Sequence, residues 1–233
     1  MAYSKRLDGR KHNELRDMEA KSGVIPNADG SAYLRVGNTV VYVAVYGPRP
    51  APRFLADPSK GILRFHYNMM PFSGYGSRIR PGHKRRSQEI GMVMAGALEP
   101  VVDLSKYPNT IVDVFVELPQ TDAGTRCAAI SASSIALADA GIPMTDMVAS
   151  VAVGQVDGTV VADLTYNEEA YDAPVSDIPV AVIHGSKQIS LLQMDGEIKK
   201  EDLITALNMA VEVTDQIHDL QVKALTERFE VEQ

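Results

Sequence analysis

The chain is poor in the residues that build disulfide frameworks, zinc sites and common hydrolytic triads. Cys127 is the one cysteine in 233 residues. A single thiol forms no internal disulfide, which excludes a disulfide-stapled fold and fits a reducing, cytoplasmic compartment. No CxxC, HExxH or GxSxG occurs, and the five histidines (His12, His66, His83, His184 and His218) are scattered. A structural zinc site or a Ser-His-Asp triad therefore gains little support. No apolar run approaches the roughly 18 residues that cross a bilayer. The polar start MAYSKRLDGRKHNELRD lacks a signal-peptide core. A cytoplasmic protein with no membrane partner is expected.

Positive charge is in deficit overall yet concentrated in one place. The net charge is −7, but Gly47 to Arg86 holds nine basic residues and one acid, Asp57, a local charge of +8. A patch that keeps its sign against the global field points to a polyanion path, with RNA or another phosphate-rich ligand first in mind. The alternative is a solvated loop surface.

Length and composition (45% hydrophobic, 23% charged) suit one large domain or two small ones with a sizeable core. Residues 1–20 read as charged and partly extended. Gly37-Asn38 separates SAYLRV from TVVYVAVYG as a β-hairpin. The proline-rich stretch GPRPAPRFLADPSKG reads as an exposed loop, because prolines lack a ladder donor. It carries Arg49 and Arg53. Gly61–Met69 and Thr110–Leu118 read as strands, with a second basic loop from Pro71 to His83. Ile90, Val93, Met94, Ala97, Leu98 and Val101 recur at helical spacing. CAAISASSIALADA reads as a small-residue helix packed closely on a sheet, ended by Gly141. Then come a hairpin at Asp157-Gly158, a further pair of strands about Gly185-Ser186-Lys187, and an amphipathic helix from about Glu201 to Phe229. Strands and helices so segregated predict α+β with mixed sheets. Each half runs hairpin, further strands, then helix. Two domains are expected, 1–145 with the basic loops and 146–233 with an acidic loop and the last helix.

Two helix starts carry similar chemistry. In HKRRSQE, Arg85 and Arg86 stand at an N-terminus, where the helix dipole disfavours cations unless an anion satisfies both. In QTDAGTRCAA, Asp122 and Thr125 read as caps. Gly124 permits close backbone approach, and Arg126 adds a cation. One phosphate pocket or ordinary surface ion pairing both account for these features. The acidic stretch YNEEAYDAPVSD supplies carboxylates to hold Mg²⁺ or act as general acid. Glu168 and Asp172 read as solvated loop acids. Asp177 reads as functional, because the following strand IPVAVI fixes its position.

With RLDGRKHNELR, NADGSAYLRVGNTVVYVAVYGP, YNMMPFS, KRRSQE, QTDAGTRCAAISASSIALADAGIPM and DIPVAV, the chain resembles RNase PH-type phosphorolytic exoribonucleases over nearly its whole length. Within them it is most similar to the catalytic type of archaeal exosomes. The resemblance implies an RNase PH fold of duplicated βαβα-type halves (ribosomal protein S5 domain 2-like). It also implies a hetero-hexameric ring with a related inactive subunit, and an RNA-binding cap protein. The implied substrate is the 3′ end of single-stranded RNA, with inorganic phosphate as co-substrate and Mg²⁺ as cofactor. By motif position, Arg85 and Arg86 match the paired arginines on RNA and phosphate, and Gly124, Thr125 and Arg126 match the phosphate turn. Asp177 matches the second catalytic aspartate, and Arg49 and Arg53 the pore neck. Arg64 assists RNA binding or serves as a structural ion-pair partner. Tyr67 and Tyr75 stack on bases or pack internally.

One departure matters. The family pattern has an aspartate about six positions before Asp177, where this chain has Tyr171. A two-residue insertion around Ala173-Pro174 would restore the match with Glu169, giving Glu169 and Asp177 as catalytic and metal-holding carboxylates. A homo-hexameric RNase PH acting on tRNA 3′ ends, and a non-catalytic RNA-threading subunit, are the competing readings.

Overall fold

Alternating burial and short turns build a five-stranded sheet from β1 (Met18–Ser22), β2 (Gly30–Val36), β3 (Thr39–Pro50), β4 (Ile62–Met69) and β5 (Thr110–Gln120). The computed structural model describes residues 3–75, 80 and 85–230. Arg78, Lys84 and most of the second basic loop lie outside them. The strand order is β1-β2-β3-β5-β4. All pairs are antiparallel except β4 with β5, which α1 (Arg85–Leu98) connects. At the β2–β3 turn Gly37 takes φ 55°, a conformation that glycine adopts at no steric cost.

One of the two readings at this sheet's edge needs correction. The segment before Ala20 is partly extended as expected and includes the start of β1, which pairs along β2 with Ala20 facing inward. The proline-rich stretch does not begin as a loop. Arg49 pairs with Ile111 and Pro50 with Thr110, past a register shift after Tyr46. β2 starts only at Gly30, opposite Val45, so among the described residues this end of β3 has one strand neighbour, and a proline without an N–H sacrifices no ladder bond on the open side. The loop proper begins at Ala51.

The second sheet comprises β6 (Val148–Val156), β7 (Thr159–Ala162), β8 (Val175–Ile183) and β9 (Ile189–Leu192), in the order β7-β6-β8-β9 and antiparallel throughout. Asp157 and Gly158 close its hairpin with φ 45° and 82°, the pairing that tight hairpins favour.

Between the sheets runs α2 (Thr125–Asp139), with 11 of its 15 residues buried. It packs on β2 and β3 on one side and on β6 and α4 (Lys200–Glu230) on the other. A helix covered on all sides has no polar face, and its alanines and serines let both neighbours approach closely. Ser134 and Ser131 Oγ accept the N–H groups of Val148 and Ser150 at 3.0 and 2.9 Å. Buried Gln221 of α4 donates to the carbonyls of Ser131 and Val148, each at 2.9 Å. Among the described residues no helix is long and apolar enough to cross a membrane.

Candidate active site

β5 ends at Gln120 and α2 begins at Thr125, so four residues make the turn between them. Ala123 and Gly124 both take positive φ, 56° and 59°. For alanine that conformation costs on the order of 1 kcal/mol and needs surrounding structure to hold it. Asp122 is part of that structure. Its Oδ2 accepts from the Asn38 amide at 3.1 Å, its Oδ1 from the Tyr166 backbone N–H at 3.0 Å, and its own N–H donates to Thr39 Oγ1 at 2.9 Å. Its carbonyl accepts from Arg16 Nη1. The cap of α2 is Gly124, with no side-chain bond, so neither Asp122 nor Thr125 caps it. Asp122 instead holds the first residue of α3, a short helix over Tyr166–Glu169.

Arg16 is buried and joins Asp163 through Nε to Oδ2 at 2.9 Å and Nη2 to Oδ1 at 2.6 Å. Burial alone would raise the Asp163 pKa, but Arg16 and Arg10 outweigh it and hold it below the ordinary value. The turn is thus tied to the second sheet by a bidentate ion pair.

Over this turn opens a cavity of about 310 Å³, lined by Gly124, Thr125, Arg126, Arg86, Glu169 and Asp177 together with Tyr75 and Tyr166. The structure therefore brings all six phosphate-binding and catalytic candidates to one place. Asp177 is the third residue of β8, paired with Gly154 and bridged to Asp195. Among the described residues its Oδ1 is buried without a hydrogen-bond partner. Burial pushes its pKa up to about 6, with Arg126 pulling back and Asp195 adding to the rise. Burial and then the Asp177 carboxylate push Glu169 up to about 7, against the Gly124 N–H, Arg16 and Arg126. Two neighbouring carboxyls displaced in this way titrate as a pair and retain a proton near neutral pH, the property a general acid needs.

Glu169 takes this place although it stands eight residues before Asp177. Tyr171 turns away, edge-on to Tyr3 at 5.2 Å in an apolar cluster with Val156, Val161 and Leu164. Asp172 is exposed, as a solvated acid should be. Glu168 is not solvated, contrary to its expected place. It is fully buried, accepting from Arg6 Nε and Nη2 at 2.8 and 2.7 Å and from Tyr3 at 2.5 Å. Burial would raise its pKa, but these donors and the Thr165 N–H hold it at about 2.

The remaining cations lie apart from the cavity lining. Arg85 is exposed at the first residue of α1, and Arg53 is exposed in the loop after β3. Arg49 sits 5.0 Å over the Tyr46 ring and 3.3 Å from Asp29. Arg64 forms a two-bond pair with Asp113 at 2.6 and 3.0 Å, across the parallel β4–β5 register. Tyr67 is buried in the main core. Burial raises its pKa, while Thr125, Arg86 and Arg126 lower it.

Among the described residues no group of three or more His, Cys, Asp or Glu is placed to hold a metal ion. Two carboxylates with one orphaned oxygen still fit Mg²⁺, which usually keeps several waters and takes one or two carboxylates plus substrate phosphates. Arg16, Asp163 and Tyr166 had no assigned role in the sequence, and Asp122 only that of a helix cap. The signal was the segment RLDGRKHNELR, whose three arginines all turn inward to buried carboxylates.

Known proteins share this arrangement of chain. Residues 14–143 match domain 1 of the 3′ exoribonuclease family, RNase PH, and residues 146–213 match its domain 2. The chain is 48% identical to the exosome complex component Rrp41 of Thermococcus kodakarensis, over 97% of this chain and 90% of that one. It is 46% identical to the component of the same name from Methanopyrus kandleri, over 96% and 93%. The crystal structure of rice (Oryza sativa) Rrp46 superposes with a TM-score of 0.83 at 26% identity, over 95% of this chain and 100% of that one. The Archaeoglobus fulgidus exosome with RNA bound to the active site shares the fold, with a TM-score of 0.80 at 22% identity over 93% and 92%. Matched along both halves and nearly end to end, the chain belongs to the 3′ exoribonuclease family typified by RNase PH.

Proposed function

We propose that the chain is the catalytic subunit of an archaeal-type exosome ring, a phosphate-dependent 3′-to-5′ exoribonuclease that releases nucleoside diphosphates. One observation carries the reading: the Gly124–Thr125–Arg126 turn, Arg86 and the proton-retaining carboxyls Glu169 and Asp177 line a single cavity. Inorganic phosphate binds at the turn, held by Arg126, Arg86 and the N–H groups at the start of α2. These fixed positive groups screen one anion from another before reaction begins. A phosphate oxygen attacks the phosphorus joining the last two nucleotides. The penultimate 3′ oxygen leaves and takes its proton from the Glu169–Asp177 pair, and the terminal nucleotide departs as a diphosphate. Glu169 and Asp177 would hold Mg²⁺, which supplies charge neutralisation when bound.

In this reading residues 1–145 bring the phosphate and RNA contacts, and residues 146–233 bring the carboxylates. Arg85 and Arg53 contact the RNA backbone. Arg49 and Arg64 reach it only by sharing guanidinium N–H groups with Asp29 and Asp113. A related inactive subunit completes the ring, an RNA-binding cap protein delivers unstructured 3′ ends, and the assembly is cytoplasmic.

The test is degradation of a 3′-tailed single-stranded RNA with and without phosphate, by this chain alone and mixed with an archaeal-type ring subunit. Phosphate-dependent release of diphosphate only in the mixture is the expected result. The same activity from the chain alone would favour a homo-hexameric RNase PH. Monophosphate release, or binding without cleavage, would overturn the proposal.

A further inference from the structure

Two cavities meet at a pair of tyrosines. The first holds the phosphate turn, Arg86 and the two carboxyls. The second, of about 580 Å³, lies beside it, and among the described residues Tyr75 and Tyr166 alone line both. Their rings are 5.7 Å apart with an interplanar angle of 30°. Tyr75 is 62% exposed and Tyr166 46%. Among the described residues neither ring belongs to a hydrophobic core cluster. Tyr166 is held in place through its backbone, whose N–H donates to Asp122, the residue that anchors the phosphate turn. The turn and the Tyr166 backbone are therefore positioned by one carboxylate.

The cavities differ in charge. The first sets Arg86 and Arg126 against Glu169 and Asp177. In the second, Arg10 and Arg16 are outnumbered by Asp8, Asp17 and Asp122. Both arginines are already paired with carboxylates. A phosphate gains nothing there, whereas a neutral, flat ligand with polar edges meets two aromatic faces and the side-chain amides of Asn38 and Asn167. The volume lies in the range of small-ligand sites.

We propose that this second cavity receives the nucleobase of the 3′-terminal nucleotide, stacked on Tyr166 beside Tyr75, while that nucleotide's phosphates occupy the first cavity. The proposal rests on the phosphorolytic reading and adds a base subsite to it. Stacking tolerates any base, so the subsite positions the terminal nucleotide without restricting sequence.

The test compares ADP with pyrophosphate, which has the phosphates but no base. Tyr166→Ala is expected to weaken ADP binding about 5- to 100-fold while leaving pyrophosphate binding within about twofold, by calorimetric titration of the chain assembled with an archaeal-type ring subunit. The chain has no tryptophan, so Tyr166→Trp supplies a sole emitter, which ADP should quench and pyrophosphate should not. Equal weakening of both ligands by Tyr166→Ala, or ADP binding that leaves the tryptophan unquenched, would overturn the base subsite and spare the phosphorolytic reading. A parent chain that, assembled with an archaeal-type ring subunit, binds neither ADP nor pyrophosphate would overturn both.

Discussion

Glu169, the proposed acid, shows how a carboxyl suited to reaction is held at the expense of the fold. Its pKa is raised from 4.5 to about 7 by burial and by Asp177. The folded chain therefore keeps a proton that the unfolded chain releases between about pH 4.5 and 7. Stability falls as pH rises through that window. Glu169→Gln should then stabilise the chain by about 1–3 kcal/mol at pH 8, a gain that shrinks as pH is lowered towards the ordinary carboxyl value. Thermal melts at several pH values check this, and a variant no more stable than its parent at pH 8 would show that the buried charge costs the fold nothing. The same variant should lose phosphorolysis by about 10²-fold or more, because a glutamine amide cannot serve as the acid. For the parent, phosphorolysis should decline above about pH 7 as the pair loses its proton. At this scale the sequence was legible where chemistry and backbone coincide, as at Gly124-Thr125-Arg126. It was not legible between Glu168 and Asp177. Nothing in the residue types says that Glu168 is buried against Arg6 and that Asp172 is exposed, and the register of Glu169 depends on how far the Ala170–Pro174 segment reaches.

Elements bring the residues together, and their junctions carry the strain. The left-handed pair Ala123-Gly124 is held by Arg16 and Asp122, and Arg16 is held by Asp163. Asp163→Asn leaves the Arg16 guanidinium buried without its counter-charge, which typically costs about 3–5 kcal/mol. Denaturant unfolding should show a loss of that order, and the KM for phosphate should rise more than kcat falls, because the turn rather than the acid is disturbed. Unchanged stability would mean that the pair is dispensable. Close approach matters equally at α1. A Cβ at Gly91 would come within 2.8 Å of the Phe65 carbonyl of β4. Gly91→Ala should therefore shift α1, move Arg86 away from the turn and weaken RNA binding by about 10-fold, measurable by filter binding. The strands were legible from alternation and the hairpins from Gly37-Asn38 and Asp157-Gly158. The Arg49–Pro50 end of β3 was not, because proline argues against a strand until the missing neighbour on one side is known. α2 was legible as a helix, but only its burial on both sides explains why it is built from alanine and serine.

For the molecule as a whole, a chain of net charge −7 concentrates nine of its cations between Gly47 and Arg86, and in the proposed reaction its site holds two anions at once. The affinity for RNA should therefore fall with salt, and each phosphate contact removed should flatten the log–log slope by about 0.7. Arg86→Glu removes one contact and adds a repulsion, so both the affinity and the slope should drop; an unchanged slope would take Arg86 out of the RNA path. The direction of reaction is a property of the same site. Attack by phosphate replaces a phosphodiester with the anhydride of a nucleoside diphosphate, and the two bonds are similar in energy, so mass action decides the outcome. The groups that bind phosphate and donate a proton forwards must bind the diphosphate and accept a proton in reverse. With excess ADP and little phosphate, the assembled ring should extend an RNA primer with a 3′ adenylate tail. Added phosphate should shorten that tail again, and gel analysis of a labelled primer follows both steps. A preparation that degrades RNA but never extends it under excess ADP would show that water, rather than phosphate, is the attacking group, and the phosphate-binding role of the Gly124–Arg126 turn would fall with it.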